Sequence, residues 1–351
     1  MAPEEQTVVP LRAPGALVDR LGRPLHDLRI SVMDRCNFRC PYCMPRSSFD
    51  DHYRFLTSGE RLSFEEITRL ARIFVGLGVR KLRLTGGEPL LRGNLADLIG
   101  DLSTIDAVED IALTTNGILL AQHAAELKAH GLHRVTVSLD SIDPSIFRRM
   151  NGGFDGLDQV LAGIDAARDA GLAPLKINAV IQRGINDHAV LELLERFRGT
   201  DVIVRLIEYM DVGNRNQWAR EGVVPSRELV DRIAAQWRID PVGRHYPGEV
   251  AERYVYRDGA GEIGFISSVT QPFCGGCSRA RISSAGVLYT CLFATQGLDL
   301  RAPLRSGATN LDIAELIRRS WHAREDRYSE QRHGTPKPAD ERKIEMFYIG
   351  G

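Results

Sequence analysis

DLRISVMDRCNFRCPYCMP, residues 27–45, decides how this chain is read. Its first half, Leu28–Val32, is a short apolar run with the pattern of a buried β-strand. Its second half places Cys36, Cys40 and Cys43 in the loop directly after that strand. The other three cysteines form a second triplet, Cys274, Cys277 and Cys291, and none of the six is left over. Three thiolates are one fewer than a closed tetrahedral zinc site or a four-iron cluster requires, so each triplet leaves one coordination position open. An open position is where a substrate or cofactor meets the metal. The spacing therefore predicts two reactive centres rather than two structural staples.

Working outward, short β-like runs alternate with helical stretches from residue 27 to about residue 210. Lys81–Leu84, Asp110–Thr114, Arg134–Leu139, Leu175–Ile181 and Val202–Ile207 read as further buried strands. Phe64–Leu77, Leu95–Leu102, Leu119–His130, Gly156–Ala170 and His188–Phe197 read as the helices between them. A β/α rhythm implies a parallel sheet. Six units fall short of the eight of a closed barrel, which predicts a partial (β/α)6 TIM-like barrel with its active site at the strand C-terminal ends. The expected organisation is an N-terminal arm over 1–26, a partial barrel over 27–245 and a C-terminal region over 246–351. That last region carries a hairpin near Glu249–Ser268, the second cysteine triplet, a helix over Leu311–Trp321 and a Gly350-Gly351 tail. His322–Arg342, charged and containing Pro336 and Pro338, reads as a surface loop. Gly259-x-Gly261-x-x-Gly264 has a dinucleotide-like spacing, but no helical pattern follows it, and a hairpin turn accounts for it better.

Composition sets bounds. In 351 residues, 43% hydrophobic and 26% charged content are those of a globular chain with a real core. A net charge of −1 argues against a general nucleic-acid surface, so an anionic ligand must be met by local arginines. No secretory leader pattern and no run of 18 apolar residues is present, which predicts a cytoplasmic protein without a membrane span. Tightly spaced cysteines then read as metal ligands rather than disulfides. G-x-x-x-x-G-K-[ST] is absent, which excludes nucleotide binding by a P-loop.

Thr85-Gly86-Gly87-Glu88-Pro89 closes the second strand. Its glycines let the backbone approach a ligand, and its carboxylate can accept from an ammonium group. With the first cysteine triplet it resembles the radical S-adenosylmethionine (SAM) family, in which three cysteines hold a [4Fe-4S] cluster and SAM chelates the fourth iron. The second triplet is followed by Arg279 and Arg281, alternating residues that share one face of an extended segment and suit phosphate. The favoured reading of that triplet is a cluster whose open iron touches substrate; a structural cluster with a non-cysteine fourth ligand is the alternative.

Taken together, the motifs resemble the GTP 3′,8-cyclase family, the radical SAM enzymes that open molybdenum cofactor biosynthesis. The likeness runs through LRLTGGEPLLR, LTTNG, VSLDS, KINAVI and CGGCSRARI to the terminal IGG. It implies two [4Fe-4S] clusters, on Cys36, Cys40 and Cys43 and on Cys274, Cys277 and Cys291. It implies SAM contacts at Tyr42, Gly87, Ser138 and Met210, and GTP contacts at Arg29, Arg83, Thr114, Lys176, Arg279 and Arg281. Gly350 and Gly351 would reach the active site to assist hydrogen abstraction. The implied reaction uses a 5′-deoxyadenosyl radical to convert GTP to (8S)-3′,8-cyclo-7,8-dihydroguanosine 5′-triphosphate. It further implies an electron donor such as flavodoxin or ferredoxin and a downstream cyclic pyranopterin monophosphate synthase, and leaves a homodimer open. Arg205 joins the anion-binding candidates on strand position alone. Two alternatives stay open: a peptide-modifying radical SAM enzyme, which calls for more thiols in its C-terminal module, and a zinc-dependent binding module using the same cysteines structurally.

Overall fold

The structure, a computed structural model, describes residues 17–244, 248–332 and 342–350. Six parallel strands form its centre: β1 (Asp27–Met33), β2 (Lys81–Gly86), β3 (Asp110–Thr115), β4 (Arg134–Ser138), β5 (Lys176–Ile181) and β6 (Ile203–Glu208). Between them run α1 (Phe64–Gly76), α2 (Leu95–Ser103), α3 (Leu120–Ala129), α4 (Pro144–Asn151), α5 (Leu157–Asp169) and α6 (Val190–Phe197). The rhythm read from the sequence is therefore the observed one, with α4 as an addition. Its signal was local: Asp143 caps the helix by accepting from the Ser145 and Ile146 amides, with Pro144 at the first helical position. Ser63 and Glu66 form a reciprocal capping box at the start of α1.

The sheet extends beyond these six strands. After α7 (Ser226–Gln236) come β7 (Ile239–Val242), β8 (Glu252–Tyr256), β9 (Glu262–Ile266), β10 (Arg279–Ile282), β11 (Val287–Tyr289) and β12 (Leu298–Asp299). The order is β12-β11-β10-β1-β2-β3-β4-β5-β6-β9-β8-β7. β8 and β9 are the expected hairpin, with Gly259 and Gly261 at positive φ in its turn. β9 also pairs in parallel with β6, and β10 in parallel with β1. The sequence did not reveal either pairing, because each brings together strands distant in the chain.

Every second residue of these strands decides the layering. Leu28, Leu84, Ile111, Val137, Ile177 and Ala179 point outward into a continuous core beneath the helices. Their neighbours Arg29, Arg83, Thr114, Ser138, Asn178 and Arg205 point inward and line a cavity. A charged residue inside an otherwise apolar strand is costly unless it borders a polar space, and here it does. At the end of β6 the buried Glu208 carboxylate gathers three elements. It accepts from the Ser226 amide at 2.9 Å, the Val269 and Thr270 amides at 2.8 Å, and both hydroxyls.

α8 (Arg301–Arg305) and α9 (Asn310–His322) follow the sheet, then the short α10 (Tyr328–Gln331) and α11 (Met346–Ile349). The surface-loop reading of His322–Arg342 is corrected for its described part. Arg324 is 4% exposed, because its guanidinium packs over Trp321 and pairs with the buried Asp19. Arg332 is likewise drawn inward, onto Asp211 and the Ser268 carbonyl. Pro336 and Pro338, like the arm before residue 17, lie outside the described residues.

Replacing Glu208 with Ala strands the buried Ser226 and Val269 amides, and the half-buried Thr270 amide, without their acceptor. We expect a loss of about 3 kcal/mol in folding stability, read as an earlier midpoint in anaerobic urea unfolding, with Glu208→Gln milder.

Candidate functional site

All six cysteines border one cavity. The first triplet sits on the loop after β1, and its shape is imposed by close backbone contact with the end of β2. The Gly87 amide donates to Met33 O and the Glu88 amide to Arg35 O, both at 2.7 Å. A Cβ at Gly87 would lie 2.2 Å from the Arg35 carbonyl oxygen, and one at Gly86 would lie 2.3 Å from that of Met33. Both positions therefore require glycine. Gly152, which caps α4 with φ +82°, meets the same loop from the other side, its Cβ position 2.2 Å from Arg39 O.

The buried Glu88 carboxylate accepts from the Leu90 amide, the Thr115 hydroxyl and the Asn116 amide. It ties the end of β2 to the end of β3, while Gly86 and Gly87 border the cavity. Asn116 in turn donates to Asn37 Oδ1 at 2.6 Å, next to Cys36. Tyr42 borders the cavity and donates to Asp140 Oδ2 at 2.7 Å, and Asp140 Oδ1 accepts from the Val180 amide. Ser138, the last residue of β4, and Met210, just past β6, border it as well.

The inner wall carries most of the positive charge. Arg29, Arg83, Arg205, Arg279 and Arg281 all border the cavity. Arg83 Nη1 donates to Thr114 Oγ1 at 3.0 Å, and Arg205 Nε donates to Asn178 Oδ1 at 2.9 Å. Burial, and then the charges of Arg281, Arg83, Arg279 and Arg205, hold the Arg29 guanidinium well below its ordinary pKa. Like charges gathered in this way await an anion. Lys176 opens β5 and is not among the residues bordering the cavity. Burial and then Arg205, Arg134 and Arg83, opposed by Glu249, bring it down to about 8.

Parallel pairing of β10 with β1 sets Arg281 beside Arg29 and brings the second triplet to the cavity rim. Cys274 lies in a short helical turn, Cys277 directly before β10 and Cys291 just after β11. Arg281 donates to the carbonyl of Gly350, whose φ is +70° and whose Cβ position would lie 2.3 Å from Thr85 Cγ2. Gly350 is thus buried against β2 and β10, while Gly351 lies outside the described residues. Phe347 anchors this tail among Met44 and Phe49, against Cys36 and Cys43.

Sequence reasoning passed over Asn116, Asp140, Asn178, Arg23 and Arg324. The first two lie inside LTTNG and VSLDS, where polar residues follow a buried strand, and that was signal enough. Arg23 and Arg324 border the cavity from segments in which no pattern was seen.

The model of the Radical SAM superfamily matches residues 30–197, and that of Molybdenum Cofactor Synthesis C matches residues 202–330. A GTP 3′,8-cyclase of Xanthomonas campestris pv. campestris is 54% identical over 95% of this chain and 97% of its own. One from Acidothermus cellulolyticus is 52% identical over 95% and 98%, and one from Staphylococcus haemolyticus 47% identical over the same shares. The chain belongs to the GTP 3′,8-cyclase family. It is accordingly a radical SAM enzyme, a class that uses a [4Fe-4S] cluster and SAM. Among solved structures, Streptococcus suis SuiB bound to S-adenosylmethionine resembles it with a TM-score of 0.59 at 16% identity, covering 90% of this chain and 69% of that one. SuiB bound to its precursor peptide SuiA gives 0.60 at 14% identity, over 92% and 71%. Those likenesses concern the fold alone. No helix among the described residues is long and apolar enough to cross a membrane.

The donor set of the first triplet fits a cluster. All three thiols are free and border the cavity, and the Phe38 amide lies 3.4 Å from Cys36 Sγ as a donor. Burial and then the Glu88 charge push Cys36 up to about 12, while burial followed by Cys36 and Cys43 drives Cys40 well up. Three thiolates that repel one another in a buried place need a multiply charged cationic core.

The glycine contacts give a direct expectation. Gly87→Ala must displace the Arg35–Cys36 backbone, so the purified variant should lose most iron of the first site after reconstitution, while Gly93→Ala, in open space, should retain it.

Proposed function

We propose that this chain converts GTP to (8S)-3′,8-cyclo-7,8-dihydroguanosine 5′-triphosphate, the first step of molybdenum cofactor biosynthesis. The observation that carries this reading is a single cavity bordered by both cysteine triplets and by seven arginines. Cys36, Cys40 and Cys43 would hold the [4Fe-4S] cluster that works with SAM, and Cys274, Cys277 and Cys291 would hold a second [4Fe-4S] cluster on the substrate side of the cavity. When bound, the first cluster and SAM supply hydrogen-atom abstraction at an unactivated carbon.

The protein's own part is electrostatic and steric. Arg29, Arg83, Arg279 and Arg281 bind the triphosphate, because a polyanion relieves the repulsion that those cations suffer when left to themselves, and Thr114 and Lys176 complete the GTP contacts, Lys176 from outside the border of the empty cavity. Tyr42, Gly87, Ser138 and Met210 contact SAM, with Asp140 fixing the Tyr42 ring. Gly350 and Gly351 approach the reacting carbon, where a side chain would obstruct it. The Phe347 anchor holds that tail and keeps water from the first site. On this reading the enzyme is cytoplasmic, takes electrons from flavodoxin or ferredoxin and passes its product to cyclic pyranopterin monophosphate synthase; a homodimer is compatible with it.

The deciding experiment measures 5′-deoxyadenosine release by anaerobically reconstituted, reduced protein with SAM, with and without GTP. We expect release to depend on GTP and to accompany a cyclised nucleotide; release indifferent to GTP would discard the substrate. Removal of Gly350 and Gly351 should leave iron content and GTP binding intact and suppress cyclisation, an outcome refuted by normal turnover. Lys176 supplies a pH signature. Its ammonium deprotonates as pH rises through about 8 in the free enzyme, so kcat/KM for GTP should fall above that pH. Lys176→Arg should move the fall to higher pH; a profile identical to that of the parent would remove Lys176 from the triphosphate site.

A further inference from the structure

The segment before β1 and the segment after α9 meet behind the second cysteine triplet, and they do so through buried charge. Asp19 is 6% exposed, Arg23 2% and Arg324 4%. Asp19 Oδ2 accepts from Arg23 Nε at 2.6 Å and from Arg324 Nη1 at 3.3 Å, so one carboxylate joins two guanidiniums. Each guanidinium then reaches the cysteine loop. Arg23 Nη1 donates to Cys274 O at 2.9 Å, and Arg324 Nη1 donates to Cys277 O at 2.7 Å. Arg23 Nη1 also donates to Asp326 O at 2.7 Å, and the Asp326 carboxylate accepts from Thr290 Oγ1 at 2.5 Å, beside Cys291. All three ligand positions are therefore tied to one network.

Structural support alone does not require this arrangement. Two arginines and an aspartate in a buried place cost desolvation that a well-packed apolar cluster would avoid. Nor is the network closed: Arg23 Nη2 is buried and has no acceptor among the described residues, whereas Arg324 Nε lies 3.4 Å from Asp326 Oδ2. Both side chains border the cavity that the three thiols face.

We propose that Arg23 and Arg324, held by Asp19, are positioning residues for the second cluster: they fix the backbone that presents its ligands and set its reduction potential. This rests on the proposed second cluster. Arg23 Nη2 is the donor left for a thiolate or sulfide of that cluster. A cation beside an iron–sulfur cluster stabilises the more negative, reduced state, so the clamp raises the potential.

The test uses full-length protein in which Cys36, Cys40 and Cys43 are replaced by Ala, so that only the second site can load. This parent should take up about four iron per chain and give one reversible redox transition, followed by electron paramagnetic resonance. Arg23→Gln and Arg324→Gln should each shift the midpoint to more negative potential and lower iron retention on dilution. Arg23→Lys should keep the potential near that of the parent and recover only part of the retention, because a single ammonium nitrogen cannot occupy both the Nε position that meets the Asp19 carboxylate and the Nη1 position that meets the two carbonyls. The same substitutions are made with the first triplet intact, where SAM binding reports a folded barrel. Unchanged potential and retention in both Gln variants would overturn the proposal, as would loss of SAM binding in every variant, including Arg23→Lys, which would reduce the clamp to general folding. A parent that takes up no iron would instead overturn the second cluster itself.

Discussion

Four backbone pairings between β1 and β10, from Asp27 with Arg279 to Ile30 with Ile282, govern the geometry of everything else. They join the first strand of the barrel to a strand some 250 residues later in the chain. Because the pairing is parallel, the ends that carry cysteines do not simply stack. The loop after β1 holds the first triplet at one end of the strand, and Cys274 and Cys277 precede β10 at the other. The cavity between them runs the length of the strands, and its wall is made of the residues that alternate inward. A slip of one residue in this register would turn Arg279 and Arg281 into the apolar layer and Ala280 into the cavity.

A second constraint is steric. The chain has to bring three backbones to nearly the same place: the cysteine loop, the Gly86-Gly87 segment and the cap of α4. It does so by omitting side chains where carbonyls approach. Glu88 then secures the arrangement from beneath by satisfying amides and a hydroxyl at the starts of two loops. The motif is thus a means of building the loop as well as of contacting a ligand.

Much of the barrel was legible because its signals are local. Alternating apolar and polar residues, turn glycines and cap residues each report on a few neighbours, so the strands and helices between Leu28 and Ile207 could be located from the sequence. Both cysteine triplets were legible through spacing. What escaped depends on contacts between distant segments. The parallel joining of β9 to β6 and of β10 to β1 has no signature inside either strand. Asp19, Arg23 and Arg324 lie in segments without a sequence pattern, and only the fold turns them toward one another. Glu88 shows the same limit: its carboxylate is engaged by two backbone amides and the Thr115 hydroxyl, partners that no sequence pattern displays.

The arginine-lined wall also bears on how long the protein lasts. Guanidiniums crowded into a partly buried space raise the free energy of the folded chain relative to its unfolded ensemble, in which they disperse into water. A bound polyanion reverses that penalty and adds its binding free energy to the folded side. A chain with such an anion bound is therefore expected to unfold less readily, and to yield more slowly to any protease that acts on the unfolded form, than the same chain with the wall unoccupied.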